Sequence, residues 1–234
     1  MSASWRWLVR ARLPEPRRRR LGNWQALPEP DVESAHSVAR LVVVDVESSG
    51  LNVYRDRLIA VGAIAIRESR MALGESFRAV LRQEKASDDE NILVHRIGGT
   101  AQTEGEDPAD ALLRFLEFAG KSPLLGFHAP FDEIMLRKSM RAYLGENFRR
   151  AWLDLAWLAP AILPEEGRRL RTLDDWCAAF GVENARRHDA LADAIATGQV
   201  FQVLQHHALR IGLRSIGDLI AAARGQEWLA RHRN

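Results

Sequence analysis

One cysteine, two tyrosines and no long apolar run are the scarcities of this 234-residue chain. Cys177 alone cannot close an internal disulfide, so a disulfide-stapled scaffold is excluded and a reducing, cytoplasmic setting is expected. In Asp175-Trp176-Cys177-Ala178-Ala179 the thiol reads as a core side chain on a helix. A membrane-spanning helix needs roughly 18 or more consecutive apolar residues, and no stretch approaches that, so no membrane partner is expected. Domain-scale repeats are absent too. Net charge is only +2, which argues against a generic polyanion binder. The charge is unevenly placed, however. Arg6, Arg10, Arg12, Arg17, Arg18, Arg19 and Arg20 face only Glu15 within the first 20 residues, so that head carries +6 and the rest −4. The head has no apolar stretch of the secretory-signal kind. It reads as a solvated basic leader able to track a phosphate backbone, with Trp5, Trp7, Leu8 and Val9 as an anchor.

What is present suits one catalytic domain: 47% of the residues are hydrophobic, enough for a full core. Pro14, Pro16, Pro28 and Pro30 bracket a linker reaching to about Ser37. The expected division is a basic, proline-containing extension over 1–38, a domain over 39–209 and a helical segment over 210–234. Strands are expected near 41–46, 57–67, 71–81, 122–127 and 150–153, with a hairpin around Glu68-Ser69-Arg70. Helices are expected near 107–120, 131–144, 154–162, 172–181, 189–209 and 214–231. Three antiparallel strands followed by alternating strands and helices predict an α/β fold on a mixed five-stranded sheet flanked by helices.

Chemistry concentrates in four acids and a histidine. Leu41-Val42-Val43-Val44 reads as a buried strand, and it ends in Asp45-Val46-Glu47. Acids gathered at a sheet rim repel one another unless a cation joins them, and hard divalent cations prefer oxygen ligands. The chain carries its own controls: Asp31-Val32-Glu33-Ser34 repeats the tetrapeptide Asp45-Val46-Glu47-Ser48 in a proline-flanked stretch, and Asp88-Asp89-Glu90 lies among polar residues. Both of these copies read as solvated loop acids. Asp132 sits at the start of a helical segment, where an acid also favours the helix dipole. His188 and Asp193, five apart, would not share a face on one helix. His188 is therefore expected in a loop, with the helix starting at Asp189 or Ala190 and Asp193 one turn in. Ala190, Ala192, Ala194 and Ala196 would let that helix approach the sheet closely. Together these residues point to metal-assisted phosphoryl transfer.

In order, the segments Asp45-Val46-Glu47-Ser48-Ser49-Gly50-Leu51, Phe127-His128-Ala129-Pro130-Phe131-Asp132 and His188-Asp189-Ala190-Leu191-Ala192-Asp193-Ala194 resemble the three motifs of the DEDDh-type 3′→5′ exonucleases, the branch that includes the epsilon proofreading subunit of bacterial replicative DNA polymerase. The likeness runs from about Arg40 to Leu204, with landmarks at Val94-His95-Arg96-Ile97, Leu153-Asp154-Leu155 and Thr172-Leu173-Asp174-Asp175-Trp176. It implies a ribonuclease H-like fold and stepwise hydrolysis of the 3′ end of single-stranded DNA or RNA to mononucleotides. Asp45, Glu47, Asp132 and Asp193 would hold two divalent cations, Mg²⁺ or Mn²⁺, with Asp45 bridging them and His188 as general base. Ser48, Ser49, Gly50 and Leu51 would hold the terminal sugar and base, supported by His128 and Phe131. Phe127 and His128 stand where the family's second motif has His and Asn, and serines replace the two threonines of the first.

A stand-alone nuclease of repair or turnover is expected ahead of a polymerase-associated proofreading subunit, since 210–234 shows no clamp-binding segment. A catalytically silent interaction module is the reading from another class. His206 and His207 point to different helix faces and do not form a metal site. Trp152, Trp157, Trp176 and Trp228 read as core before base-stacking surface.

Overall fold

The computed structural model describes residues 13–184 and 186–232. In chain order the elements are α1 (Glu15–Gln25), β1 (Arg40–Ser48), β2 (Leu58–Arg67), β3 (Arg70–Val80), α2 (Asp89–His95), α3 (Gly99–Thr103), α4 (Pro108–Ala119), β4 (Leu124–Gly126), α5 (Pro130–Leu144), β5 (Trp152–Asp154), α6 (Leu155–Ile162), a 3₁₀ turn (Glu166–Arg168), α7 (Leu173–Phe180), α8 (Ala190–Arg210) and α9 (Ile216–Arg231). The sheet order is β3-β2-β1-β4-β5, with β1–β2 and β2–β3 antiparallel and β1–β4 and β4–β5 parallel; the mixed five-stranded sheet that opens on three antiparallel strands is the one the sequence predicts.

The apolar run of β1 supplies both halves of the core because side chains alternate across a strand. Val42, Val44 and Val46 pack on one side with Leu112 and Leu116 of α4 and Met135 and Met140 of α5. Leu41 and Val43 pack on the other with Val200, Phe201 and Leu204 of α8, Leu158 of α6 and Leu219 of α9. Full burial of each such side chain contributes about 1.5–3 kcal/mol. β2 is buried along Leu58–Ile66, whereas the first half of β3 is largely exposed, as befits an edge. The hairpin between them turns on Glu68 and Ser69, both at positive φ (51° and 59°). Two-residue turns of that hand match the twist of the strands.

The same alternation places the acids. Asp45 and Glu47 continue the face of Leu41 and Val43, the face that α8 covers. Asp45 pairs across the ladder with Gly62. A Cβ at Gly62 would lie 2.2 Å from the backbone of Ala190 and Leu191, so this glycine lets the first turn of α8 settle on the sheet beside Asp45. Thus close approach depends on Gly62 as well as on the expected small residues of the helix.

Several elements differ from the sequence reading. β4 and β5 are three residues each rather than 122–127 and 150–153. Asp88 is the N-cap of α2, accepting from the Asn91 amide, so that acidic stretch begins a helix rather than a loop. Asp31 does stay exposed, closing a turn on Glu33 and Ser34. The larger surprise is α1, which docks on α4. Leu21 and Trp24 are buried, and the Trp24 indole N–H donates to the Gly120 carbonyl at 2.7 Å. Arg17 pairs with Asp110 at 2.6 Å and Arg20 with Glu117 at 2.7 Å. Those two arginines are therefore engaged within the fold. Arg6, Arg10 and Arg12, with Trp5, Trp7, Leu8 and Val9, lie outside the described residues. Residues 32–36 reach the start of α9, through the Ala35–Ser215 bridge and the Gly217 amide to Val32. Among the described residues no helix is long and apolar enough to cross a membrane.

Candidate active site

The ends of β1, β4 and β5 open on one edge of the sheet, because the three strands run parallel. Asp45 and Glu47 reach that edge from β1. Asp193 joins them from the first full turn of α8, whose N-cap is Asp189, accepting from the Ala192 amide. One carboxylate oxygen from each of Asp45, Glu47 and Asp193 lies within 4.8 Å of the others. Asp132, 4% exposed, comes from the opposite layer in the first turn of α5, outside that threesome but close enough to act strongly on Asp45.

Burial and crowding raise Glu47, Asp45 and Asp132 above the ordinary carboxylate range. Glu47, 9% exposed, is pushed up to about 8, first by burial and then by the charges of Asp193, Asp189 and Asp132. Asp45 is raised well above the usual carboxylate range by burial, then by Asp132, Asp193 and Glu47. Asp132 is raised by burial, although its own amide and that of Val46 offset part of the cost. Among the described residues no donor bonds the side chain of Asp45 or Glu47. A buried carboxylate without a donor is costly, and a pair of them beside a third acid suits a divalent cation with oxygen ligands.

Asp193 is better served. It accepts from the backbone amide of His188 at 2.9 Å and from Arg187 at 2.6 Å, as well as from Asn184. Arg187 also pairs with Asp174 of α7 at 2.6 Å and so ties that helix to the acid cluster. Neither Arg187 nor Asn184 stands out in the sequence, where an arginine next to another arginine reads as solvated loop. His188 sits in the loop before α8 with a left-handed backbone (φ 63°) and an exposed ring.

The backbone of motif two shows why a histidine is accommodated at 128. His128 has φ 60°, a region that Asn, Asp and His populate several-fold more often than other side chains. Its amide and that of Ala156 donate to Asp154 Oδ1, so the strand-ending aspartate of β5 fixes this turn. Gly126 is equally constrained, since a Cβ there would press on Asp132 Oδ2 at 3.3 Å.

The loop after β1 is pre-ordered. Asp56 accepts from the Ser49 hydroxyl at 3.1 Å and from the Asn52 amide at 2.7 Å. A Cβ at Gly50 (φ 155°) would meet that carboxylate at 2.6 Å, which explains the glycine. Lys138 of α5 donates to the carbonyls of Val53, Tyr54 and Asp56. The loop so held presents Leu51 and Tyr54 at 90% and 89% exposure. Phe131, at the start of α5, is half-buried and packs on the same core cluster as Val53 of this loop. Cys177 is a core residue, its thiol pushed up to about 11 by burial. Trp176 is buried, whereas Trp228 is exposed.

A family model described as Exonuclease matches residues 42–201, which contain all three motifs. The chain belongs to the exonuclease family. Within that family it is 29% identical over 196 residues to a DNA polymerase III subunit epsilon-like protein of Rhodobacter capsulatus, covering 82% of this chain and 27% of that protein. It is 26% identical to the DNA polymerase III subunit epsilon of Aquifex aeolicus, covering 78% of this chain and 88% of that one. A PolC-type DNA polymerase III of Thermotoga petrophila is 25% identical over 80% of this chain, which spans only 13% of the polymerase. Among solved structures, E. coli exonuclease I in complex with a dT13 oligonucleotide matches with a TM-score of 0.64 at 20% identity, covering 74% of this chain and 42% of that one. That likeness is one of fold, and it bears out the ribonuclease H-like sheet. Membership in the DEDDh-type 3′→5′ exonucleases, read from the motifs, stands with it.

Proposed function

We propose that this exonuclease-family enzyme removes nucleotides one at a time from the 3′ end of single-stranded nucleic acid, DNA before RNA, in the cytoplasm. The observation that carries the reading is the meeting of Asp45, Glu47 and Asp193 at the sheet edge, with no donor on the first two among the described residues. Exonuclease I of E. coli, which shares the fold, has been solved with single-stranded oligonucleotides.

Asp45, Glu47, Asp132 and Asp193 are the residues that would hold two divalent cations, Mg²⁺ or Mn²⁺. Bound there, such ions neutralise the acids and stabilise the charge that develops on a phosphoryl group. The chain's own groups do the rest. Ser48, Ser49 and Gly50 hold the terminal sugar, and exposed Leu51 lies against the last base. His128 and Phe131 flank the scissile phosphate. His188 takes a proton as the water oxygen attacks phosphorus. The bond from phosphorus to the preceding 3′ oxygen then breaks and that oxygen takes a proton from solvent water, leaving a nucleoside 5′-monophosphate and a strand with a new 3′-hydroxyl. Arg187 and Asn184 orient Asp193.

Relatives named as polymerase III subunits favour a second reading, a proofreading partner of a polymerase. Co-purification with a polymerase from the native source separates the two. The first test uses 5′-labelled single-stranded DNA and RNA with Mg²⁺, Mn²⁺ or EDTA. A metal-dependent ladder shortening from the 3′ end, absent in Asp193→Ala, is expected. Cleavage of wild-type strength by Asp193→Ala would refute the site.

A further inference from the structure

Next to the acid site, on the same edge of the sheet, a groove of about 620 Å³ runs between α9 and the segment 163–172. One end is His128, at the turn after β4. The other wall ends in Arg171 and Thr172, the latter capping α7, whose Asp174 is joined through Arg187 to Asp193. The groove thus ends on the turn that leads into α5, which carries Asp132, and on the cap of α7, which Arg187 ties to Asp193. Its floor carries Trp157, and its far wall is Leu229 and Gln226 of α9, beyond the residues matched to the family.

The charge of this groove differs from its surroundings. Arg168 and Arg171 line it and no acid does. Among the described residues the Arg171 guanidinium has no partner, and Arg168 has only the exposed Glu165. By contrast, the cavity on the other side of Trp157 is lined by three acids, Glu133, Asp154 and Glu227, and one cation, Arg224. The arginines of α1 that looked suited to a phosphate track, Arg17 and Arg20, are bound to acids of α4. A cationic groove with an aromatic floor is what a single strand requires: guanidinium groups for phosphates and flat faces for bases.

We infer that this groove holds the nucleotides upstream of the cleaved 3′ end, with α9 as its outer wall. The inference rests on the nuclease reading above and extends it to a second, non-reacting part of the strand. Binding there raises affinity and processivity without touching the reacting phosphate.

The test compares the full chain with Arg168→Glu/Arg171→Glu and, separately, with Leu229→Glu. All three positions are largely exposed, so folding is not at stake. The probe is a 5′-fluorescent single strand of about ten nucleotides, a length within the usual footprint of such grooves, followed by anisotropy with EDTA across a salt series. Turnover is followed in parallel with Mg²⁺ on the same strand and on a nitrophenyl ester of a single nucleotide, which is too short to reach the groove. The expected result is about a tenfold weaker Kd for the arginine variant, with a salt slope lower by about 1.4, since each phosphate contact in a single strand contributes about 0.7. Leu229→Glu should weaken Kd in the same direction, and KM for the strand should rise in both variants with kcat held. Equal Kd and salt slope in wild type and variants overturns the groove, whether or not the chain cleaves. Strand binding by wild type with no cleavage under any metal overturns the nuclease reading instead, and a weaker Kd in the variants then still supports the groove.

Discussion

Glu47→Gln separates what the acid cluster does for chemistry from what it costs the fold. Glu47 is raised from 4.5 to about 8 by burial and by the acids around it. Its folded state takes up a proton that the unfolded chain has released, so between these pH values folding binds protons. Stability from this group is complete below about pH 4.5 and is lost as pH rises towards about 8. At 1.36 kcal/mol per unit the loss reaches at most about 5 kcal/mol. For a domain of this size that corresponds to roughly 10–20 °C in Tm. Glutamine keeps the shape and abolishes the ionisation. The metal-free variant should therefore lose less Tm between about pH 5 and about pH 8 than EDTA-treated wild type, the remaining fall coming from Asp45 and Asp132, which are also raised. Mg²⁺ or Mn²⁺ should restore wild type far more than the variant, and its binding should release protons. The assay is thermal unfolding of both proteins across pH, with and without metal, alongside strand cleavage, which the variant should lack. A wild-type Tm that stays flat over this range in EDTA, or a variant no more stable than wild type at the alkaline end, would refute the electrostatic account of the site.

Three further outcomes follow from other parts of the site. Gly62→Ala should drive α8 off the sheet, because its Cβ would sit 2.2 Å from the Ala190 backbone; overpacking of this kind costs about 1–3 kcal/mol, and denaturant titration together with loss of cleavage checks it. Arg187→Ala removes the cation that joins Asp193 to Asp174, so the metal-free protein should lose stability at neutral pH while Mg²⁺ recovers most of it in the same melt. His188→Gln should lower kcat with little change in KM, read by steady-state cleavage with Mg²⁺; an unchanged kcat counts against His188 as the base.

How much of this was legible without coordinates depended on whether the cause was local. Leu41 to Glu47 declares itself, since an apolar run ending in two acids can be read within a few residues. The start of α8 was equally readable, because His188 and Asp193 cannot share a helix face and Asp189 is a good cap. Even the tolerance for His at 128 has a local cause in its positive φ. Distant causes left no such mark. The arginines of α1 look solvated because Asp110 and Glu117, which pair with them, lie more than 90 residues away. Arg187 looks like loop charge until Asp174 of another helix is seen beside it. Gly62 looks like a weak spot in a strand until α8 arrives on its face. Asp88 reads as loop because a helix as short as α2 has too few residues to show a period.

The acids come from two layers, and this division can itself be tested. Glu47 and Asp193 lie on the α8 side of the sheet, whereas Asp132 reaches the edge from α5 on the other side. Both sides act on Asp45, with Asp132 the strongest charged neighbour and Asp193 the next, whereas on Glu47 the α8 side comes first, through Asp193 and Asp189, and Asp132 follows. In the proposed two-cation arrangement Asp45 would serve both ions and Asp132 only one. Isothermal titration of Mn²⁺ should then give about two equivalents per chain for wild type, the number expected of a paired-ion nuclease. Asp132→Asn should retain about one of the two, and Asp45→Asn should lose high-affinity binding altogether. The amide is nearly isosteric with the carboxylate, so circular dichroism should show both variants folded. Equal loss of metal in the two variants would mean that the acids act as one undivided cluster, and the bridging role of Asp45 would have to be abandoned.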